Sequence, residues 1–348
     1  MKIIAGIDIG GTKCAVTFAA VDEKQNFTFL DKVKEKTITD DPDQATRRFI
    51  EIIAGTLGRH PDWELSAIGI SCGGPLDSRR GLILAPPNLP KWNQVDIYTP
   101  LRNAFGVPVA MENDANACAL AEWHQGAGKG TQNMVFLTFG TGMGAGLILN
   151  GKLYSGTNDM AGEVGHVRLA GDGPAGYGKR GSFEGFCSGG GIAKQGQAIA
   201  REAFARHETV GFCDGVEDIE HITTERIAEA LEQGDPYAKI IFDQVARKLG
   251  YGLAVIIDIL NPQVIVIGSI YARQEHVLRD RMMEVLRREA LPQNLSVCRI
   301  CPPALGEKIG DYAAITVGAM CARSLTGGLY ETAATFLPDR RSRAVAWI

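Results

Sequence analysis

The chain lacks a membrane span, a basic tract and a secretory leader. In 348 residues no apolar stretch approaches the roughly 20 that a spanning helix needs. Met1-Lys2 runs straight into a strand-like segment that turns at glycine, without the zones of a signal peptide. Lys and Arg form no run along the body and the net charge is −4, so no phosphate-backbone footprint is present and a nucleic-acid partner is not expected. The one basic cluster, DRRSRAVAWI, stands at the extreme C-terminus and reads as a solvated tail. A cytoplasmic protein is expected, with its eight cysteines as reduced thiols. What the chain has in excess is glycine, 42 residues against an average near 7%. These are gathered in a few dense stretches, which points to tight loops around a ligand.

The length allows a large core and two domains. Residues 2–34 read as strand, Gly turn, strand, polar turn, strand, and 43–59 as a helix with Asp41 or Asp43 near its start. LSAIGISC (65–72) is an apolar run typical of a buried strand, ended by Gly73-Gly74-Pro75. PVAMENDANACALAEWHQG turns from a short strand into a helix at about residue 114. Residues 133–154 then repeat the opening plan, with Gly140 set against Gly10. Two such units, each followed by helices, predict a duplicated α/β domain with a cleft between the halves. Helices follow over 224–234 and 235–260, the latter with Asp235 as N-cap and Pro236 at its first position. A buried strand (261–269), an amphipathic helix (275–291) and a more apolar helix (313–325) complete the pattern.

Three loop chemistries compete for IIAGIDIGGTK (3–13). A Walker loop needs Lys directly after its second glycine, and Thr12 stands there. A dinucleotide fingerprint needs a helix after its glycines. Gly140, Gly142 and Ala145 come close, but GLILNGKLY reads as strand and turn. The third is D-x-G-G-T between antiparallel strands, with turn amides facing a phosphate and Asp8 reaching a metal or its water. Gly10 and Gly11 allow close approach, Thr12 supplies a hydroxyl and Lys13 charge. With residues 140–144 as a facing turn, the pair is suited to a nucleotide triphosphate.

ENDANACALAE places an acid, an amide and an acid at a helix start. Asn113 or Asp114 can cap that helix; alternatively Asp114 is a general base that takes a hydroxyl proton during phosphoryl transfer. In AGEVGHVRL, Glu163 and His166 have metal-like spacing but need further ligands. The histidine can also be a structural hydrogen-bonder, or the pair can read neighbouring sugar hydroxyls.

Together GIDIGGTK, GISCGGPLD, NLPKWN, ENDANACALAE, TFGTGMGAGLI, AGEVGH and NPQVIVIGS, in this order, resemble the ROK family of bacterial sugar kinases, near its glucokinase-like and N-acetylhexosamine kinase-like members. The resemblance runs from about residue 3 to 325. It implies an α/β, actin-like (hexokinase/Hsp70-type) ATPase fold with two domains around a substrate cleft. The smaller is expected at 1–118 plus 312–348 and the larger at 119–311. It implies ATP, Mg²⁺ and phosphoryl transfer to a hexose, at the 6-hydroxyl in a glucokinase-like enzyme, with domain closure excluding water. Kinases for N-acetylglucosamine, N-acetylmannosamine, mannose, allose or fructose stay open.

Carried across, Asp114 is the catalytic base. Gly74, Asn88, Asn113, Asp114, Glu163, His166 and Glu184 bind the sugar. Asp8, Gly10, Gly11, Thr12, Lys13, Thr141, Gly142 and Gly268 bind ATP, and Asp8 serves Mg²⁺ through water or phosphate. A homodimer is implied. Family members that act as sugar-responsive repressors carry an N-terminal helix-turn-helix; only Met1-Lys2 precede the first strand here, so a kinase is expected. One departure stands out. Most of the family carries C-x-C-G-x-x-G-C-x-E, whose cysteines join the His on a structural zinc. Here AGYGKRGSFE puts Ala175, Tyr177 and Ser182 at those positions, so zinc is not expected. Tyr177 and Phe183 are expected to fill the space. Cys187, Cys298 and Cys301 rebuild no metal site and read as buried thiols.

Overall fold

Two five-stranded sheets of one plan underlie the duplicated pattern. The computed structural model describes residues 1–324; the tail from 325, with its basic cluster, lies outside the described residues. In the first lobe β1 (Lys2–Ile9), β2 (Lys13–Val21) and β3 (Phe27–Lys36) form an antiparallel meander. Helix α1 (Pro42–Arg59) crosses to β4 (Glu64–Cys72), parallel to β1. A small sheet of β5 (Leu76–Asp77), β6 (Leu82–Leu84) and β7 (Asn93–Asp96), then α2 (Tyr98–Phe105), lead to β8 (Val109–Asn113), parallel to β4. The order is β3-β2-β1-β4-β8.

Helix α3 (Asp114–Gln125) passes to the second lobe, where β9 (Met134–Phe139), β10 (Met143–Leu149) and β11 (Lys152–Leu153) repeat the meander. A hairpin of β12 (Ala175–Gly176) and β13 (Lys179–Arg180) follows. Helices α4 (Phe183–Phe186), α5 (Gly189–Ala205), α6 (Thr224–Glu232) and α7 (Pro236–Leu260) then cross to β14 (Val264–Ile267). Helices α8 (Ile270–Glu289) and α9 (Pro292–Val297) lead to β15 (Arg299–Cys301), and α10 (Ile309–Ser324) returns to the first lobe. The order β11-β10-β9-β14-β15 matches the first sheet position for position. Parallel neighbours need crossovers of a dozen residues or more, which is why the helices fall where they do.

The helix boundaries follow their caps. Asp41 accepts the Gln44 N–H at 2.8 Å ahead of Pro42, and Asp235 accepts the Ala238 N–H at 2.7 Å ahead of Pro236. Helix α5 escapes sequence reading because it opens on three glycines, the weakest of non-proline helix formers; Ser188 starts it by accepting the Gly191 N–H at 3.0 Å.

Each lobe has its own apolar core, with Phe18, Phe49, Ile53 and Trp92 in the first and Leu137, Phe183, Phe242 and Leu253 in the second. Between them lie α3 and α10, in mutual contact, α3 also on β9 and β10, α10 also on β1 and β4. Strand glycines set how closely they pack. A Cβ on Gly146 would stand 2.3 Å from the Ala115 carbonyl, and one on Gly69 would stand 2.1 Å from the Ala314 carbonyl. We take residues 1–118 with α10 as the smaller lobe; α3 runs across that boundary and serves both. No helix among the described residues is long and apolar enough to cross a membrane.

Gly69→Ala would push backbone against backbone, so a loss of about 3 kcal/mol is expected from urea unfolding. Gly58→Ala, in α1 with nothing within 4 Å of the added carbon, is the control and should gain about 0.5–1 kcal/mol.

Candidate active site

Both glycine turns are held from behind by their carbonyls. In the β1–β2 turn, Thr37 donates its N–H to the Thr12 carbonyl at 3.0 Å and its hydroxyl to that of Gly10 at 2.6 Å. In the β9–β10 turn, the N–H groups of Gly189 and Gly190, opening α5, donate to the carbonyls of Gly140 at 2.7 Å and Thr141 at 3.3 Å. With the carbonyls tied back, the amides at the turn tips are left to face an anion. Gly268 closes β14, donates to the Leu137 carbonyl at 2.9 Å, and leads through Ser269 (φ +52°) to α8. A Cβ on Gly140 would lie 3.5 Å from the Ser269 hydroxyl, so Gly268-Ser269 borders the second turn.

Asp114 begins α3 between these turns. The cap is Asn113, whose side-chain oxygen accepts the Asn116 N–H at 2.7 Å. Asp114 itself accepts the neighbouring Ala115 N–H, at 2.8 Å, and is exposed. Desolvation raises its pKa above the usual aspartate range, with that N–H opposing. Asp8 is pushed up to about 6, by burial first and then by Asp114 and Asp311, with Lys32 and Lys34 opposing. Glu163 is raised by desolvation, then by Glu184 and Asp114, and lowered by His166. The charge of Asp114 thus reaches both Asp8 and Glu163, and those of Glu184 and His166 reach Glu163.

Several of the other predicted residues adjoin the turns or the start of α3. Asn88 abuts the first turn: a Cβ on Gly11 would be 2.5 Å from the Asn88 Cβ. Gly74 faces Asn113 at 4.0 Å by the same measure. Glu184 accepts the Met143 N–H at 3.0 Å, just after Gly142 in the second turn. Lys13 lines, with Asp8, Lys32, Lys34 and Asp311, a cavity of 220 Å³ beside the first turn.

The ROK family model matches residues 4–319. The chain belongs to the ROK family. A glucokinase of Streptomyces coelicolor is 31% identical over 313 residues, 89% of this chain and 95% of the relative. A ROK glucokinase of Streptomyces griseus, solved with glucose and AMPPNP, is 30% identical with a TM-score of 0.72, over 91% of this chain and 99% of its own. A xylose repressor of Caldicellulosiruptor bescii is 27% identical over 82% of this chain and 70% of its own length. The fold is the actin-like ATPase fold that the motifs imply.

The structural zinc that the resemblance implies for other members does not fit the donor set here. Ala175 offers its carbonyl to Lys194 Nζ at 2.9 Å, and Ser182 is buried, its hydroxyl accepting the Gly185 N–H at 3.1 Å to start α4. Tyr177 does not fill the vacated space, contrary to expectation. It sits at the tip of the β12–β13 hairpin with φ +43° and 74% exposed, its ring edge-on to His166 at 6.5 Å. The turn geometry turns the side chain outward. Phe183 is buried as expected and packs on α7, where a Cβ on Gly252 would lie 2.3 Å from its ring. His166 is held through its backbone: its N–H donates to the Glu163 carbonyl at 3.1 Å and its carbonyl accepts Lys179 Nζ at 2.7 Å. Two lysines thus brace the loop. Cys187 is buried, but Cys298 and Cys301, flanking and ending strand β15, are only half-buried. Among the described residues no cysteine forms a disulfide.

Three residues of the site escaped sequence reading. Thr37 carries no motif. Asp311, at the start of α10, bonds the Thr17 hydroxyl at 3.1 Å and Lys32, and is distant in sequence from both. Glu112 lies inside a quoted motif, but its environment was invisible there: burial first, then Asp159, raises its carboxyl from 4.5 to about 7, against a 3.2 Å bond from Asn116.

Folded Glu112 keeps its proton up to about pH 7, while the unfolded chain releases it near 4.5. The native state binds more protons in that window, so this group's contribution falls as pH rises from 4.5 to 7. Glu112→Gln should gain at most about 3 kcal/mol over the parent above pH 7. It should gain nothing below pH 4.5, and urea unfolding across pH checks both limits. EDTA treatment should leave the melting temperature unchanged; one tightly held zinc per chain would overturn the donor-set argument.

Proposed function

We propose that this ATP-dependent sugar kinase transfers the γ-phosphoryl group of ATP to the 6-hydroxyl of a hexose, with glucose the first candidate and Asp114 the general base. One observation supports the reading: Asn113 caps α3 in place of Asp114, whose carboxylate stays exposed and within charge range of Asp8 and Glu163. The sugar would lie against Gly74, Asn88, Asn113, Glu163, His166 and Glu184. Carboxylates, an amide and an imidazole supply acceptors and donors for a ring of hydroxyls.

ATP would lie with its phosphates between Gly10–Lys13 and Thr141–Gly142, its adenosine toward Gly268. Asp8 is the carboxylate that fits Mg²⁺. It is an oxygen donor whose ionised form is disfavoured by burial first and then by Asp114 and Asp311, all of which a cation would offset. Among the described residues no three His, Cys, Asp or Glu side chains form a ligand group, which suits an ion held largely by phosphate and water. Bound there, Mg²⁺ neutralises phosphate charge.

Asp114 orients the sugar hydroxyl and accepts its proton as the oxygen–phosphorus bond forms and the bond to ADP breaks. The transition state is loose, so positioning matters more than base strength. Intact Asp8, Asp114 and both turns favour catalysis over passive sugar binding.

ADP release measured across glucose, mannose, fructose, allose and the two N-acetylhexosamines tests the reading. Stimulation by at least one is expected, and none would sink it. Asp114→Asn should lower turnover about 10²–10⁴-fold with calorimetric sugar affinity largely retained. Retained turnover would remove Asp114 from the role.

A further inference from the structure

The loop before Glu163 is docked on the second lobe, where the Ala145 N–H donates to the Gly162 carbonyl at 2.8 Å. Within that loop Asp159 takes φ +60°, a conformation uncommon for a residue with a side chain. Its carboxylate points across the cleft. One oxygen accepts both the N–H and the hydroxyl of Ser78, at 2.8 and 2.9 Å. Ser78 belongs to the first lobe, in the turn after β5, four residues beyond Gly74.

The contact continues inward. The Ser78 carbonyl accepts the Tyr98 hydroxyl at 2.8 Å, and the Tyr98 oxygen accepts the Met111 N–H at 2.7 Å. Met111 lies in β8, the strand that ends at Asn113 and delivers Asp114. Glu112, between them, feels the charge of Asp159. A single chain of bonds therefore joins the wall bearing Glu163 and His166 to the wall bearing Gly74 and to the strand behind the base.

We propose that Asp159 is a positioning residue, a clasp between Asp159 and Ser78 that sets the separation of the two sugar-reading walls. It touches neither reacting atom nor nucleotide turn, so its influence falls on the sugar and not on ATP. Both partners are partly buried and the acceptor is charged, which makes this bond stronger than an exposed neutral one. The kinetic consequence rests on the sugar-kinase reading; the clasp itself rests on geometry alone.

Two measurements on the full chain separate these. In the ligand-free protein, amide hydrogen exchange should show Ser78 protected, and Asp159→Ala should speed its exchange about tenfold or more, the worth of one charge-assisted bond. In steady-state assays Asp159→Ala should raise KM for the sugar about tenfold, with KM for ATP and kcat within about twofold. Asp159→Asn keeps a neutral acceptor and should fall between; it also stands in if the alanine variant fails to fold. Adding Ser78→Ala to Asp159→Ala should cost nothing further, as expected of partners in one contact. Equal Ser78 exchange in parent and variant would overturn the clasp. An unchanged sugar KM, or sugar and ATP KM rising together, would overturn its positioning role. If the parent shows no sugar-stimulated ADP release, the kinase reading fails, and the exchange result alone decides the clasp.

Discussion

The buried carboxylate of Glu122 holds together the two places where the chain passes between lobes. It sits in α3, fully buried, and accepts the Ala127 N–H at 2.7 Å, the Ala304 N–H at 3.2 Å and the Leu305 N–H at 2.9 Å. Ala127 belongs to the crossing from α3 to β9, and Ala304-Leu305 to the crossing from β15 to α10. Three amides on one carboxylate satisfy groups that would otherwise be buried without partners, each at a cost of about 1–3 kcal/mol. The same helix carries Asp114 at its other end. The bonds of Glu122 therefore tie both crossings to the helix that begins at Asp114.

Around that helix the site is built by pinning backbone. Thr37 in one lobe and the opening of α5 in the other tie back the carbonyls of two topologically equivalent turns. The duplication thus reaches beyond sheet order to hydrogen bonding, although one turn is held by a side chain and the other by a helix start. Negative charge gathers between them. Asp8, Asp114 and Glu163 all lie above their ordinary range, each chiefly through desolvation. Like charges add to desolvation at Asp8 and Glu163, and ligands that bring hydroxyl donors or a cation would ease both. Rigid helix and strand ends hold the groups in place despite these effects.

Much of this was legible in the chain. Asp41, Pro42, Asp235 and Pro236 mark helix starts through local bonds, and the strand–glycine–strand units mark both turns. Such signals are short-range and survive in one dimension. Thr37, Asp311 and Asp159 were not legible, because their partners lie 25 to 294 residues away and their residue types are unremarkable on the surface of a sequence. Tyr177 misled for a related reason. Its replacement of a cysteine suggested filling, but the φ of a hairpin tip decides direction, and direction is not written in residue type.

By itself the sequence determined the family, the twin sheets and the residue types at the cleft, since all three depend on periodicity, turn chemistry and motif order. The tertiary structure alone decided which of Asn113 and Asp114 caps the helix, because that rests on where one side chain points. It decided that two lysines brace the loop around Ala175 and His166, because Lys179 and Lys194 reach carbonyls from separate elements. It also joined Asp159 to Ser78 across the cleft, since only folding brings together groups that the chain keeps 81 residues apart.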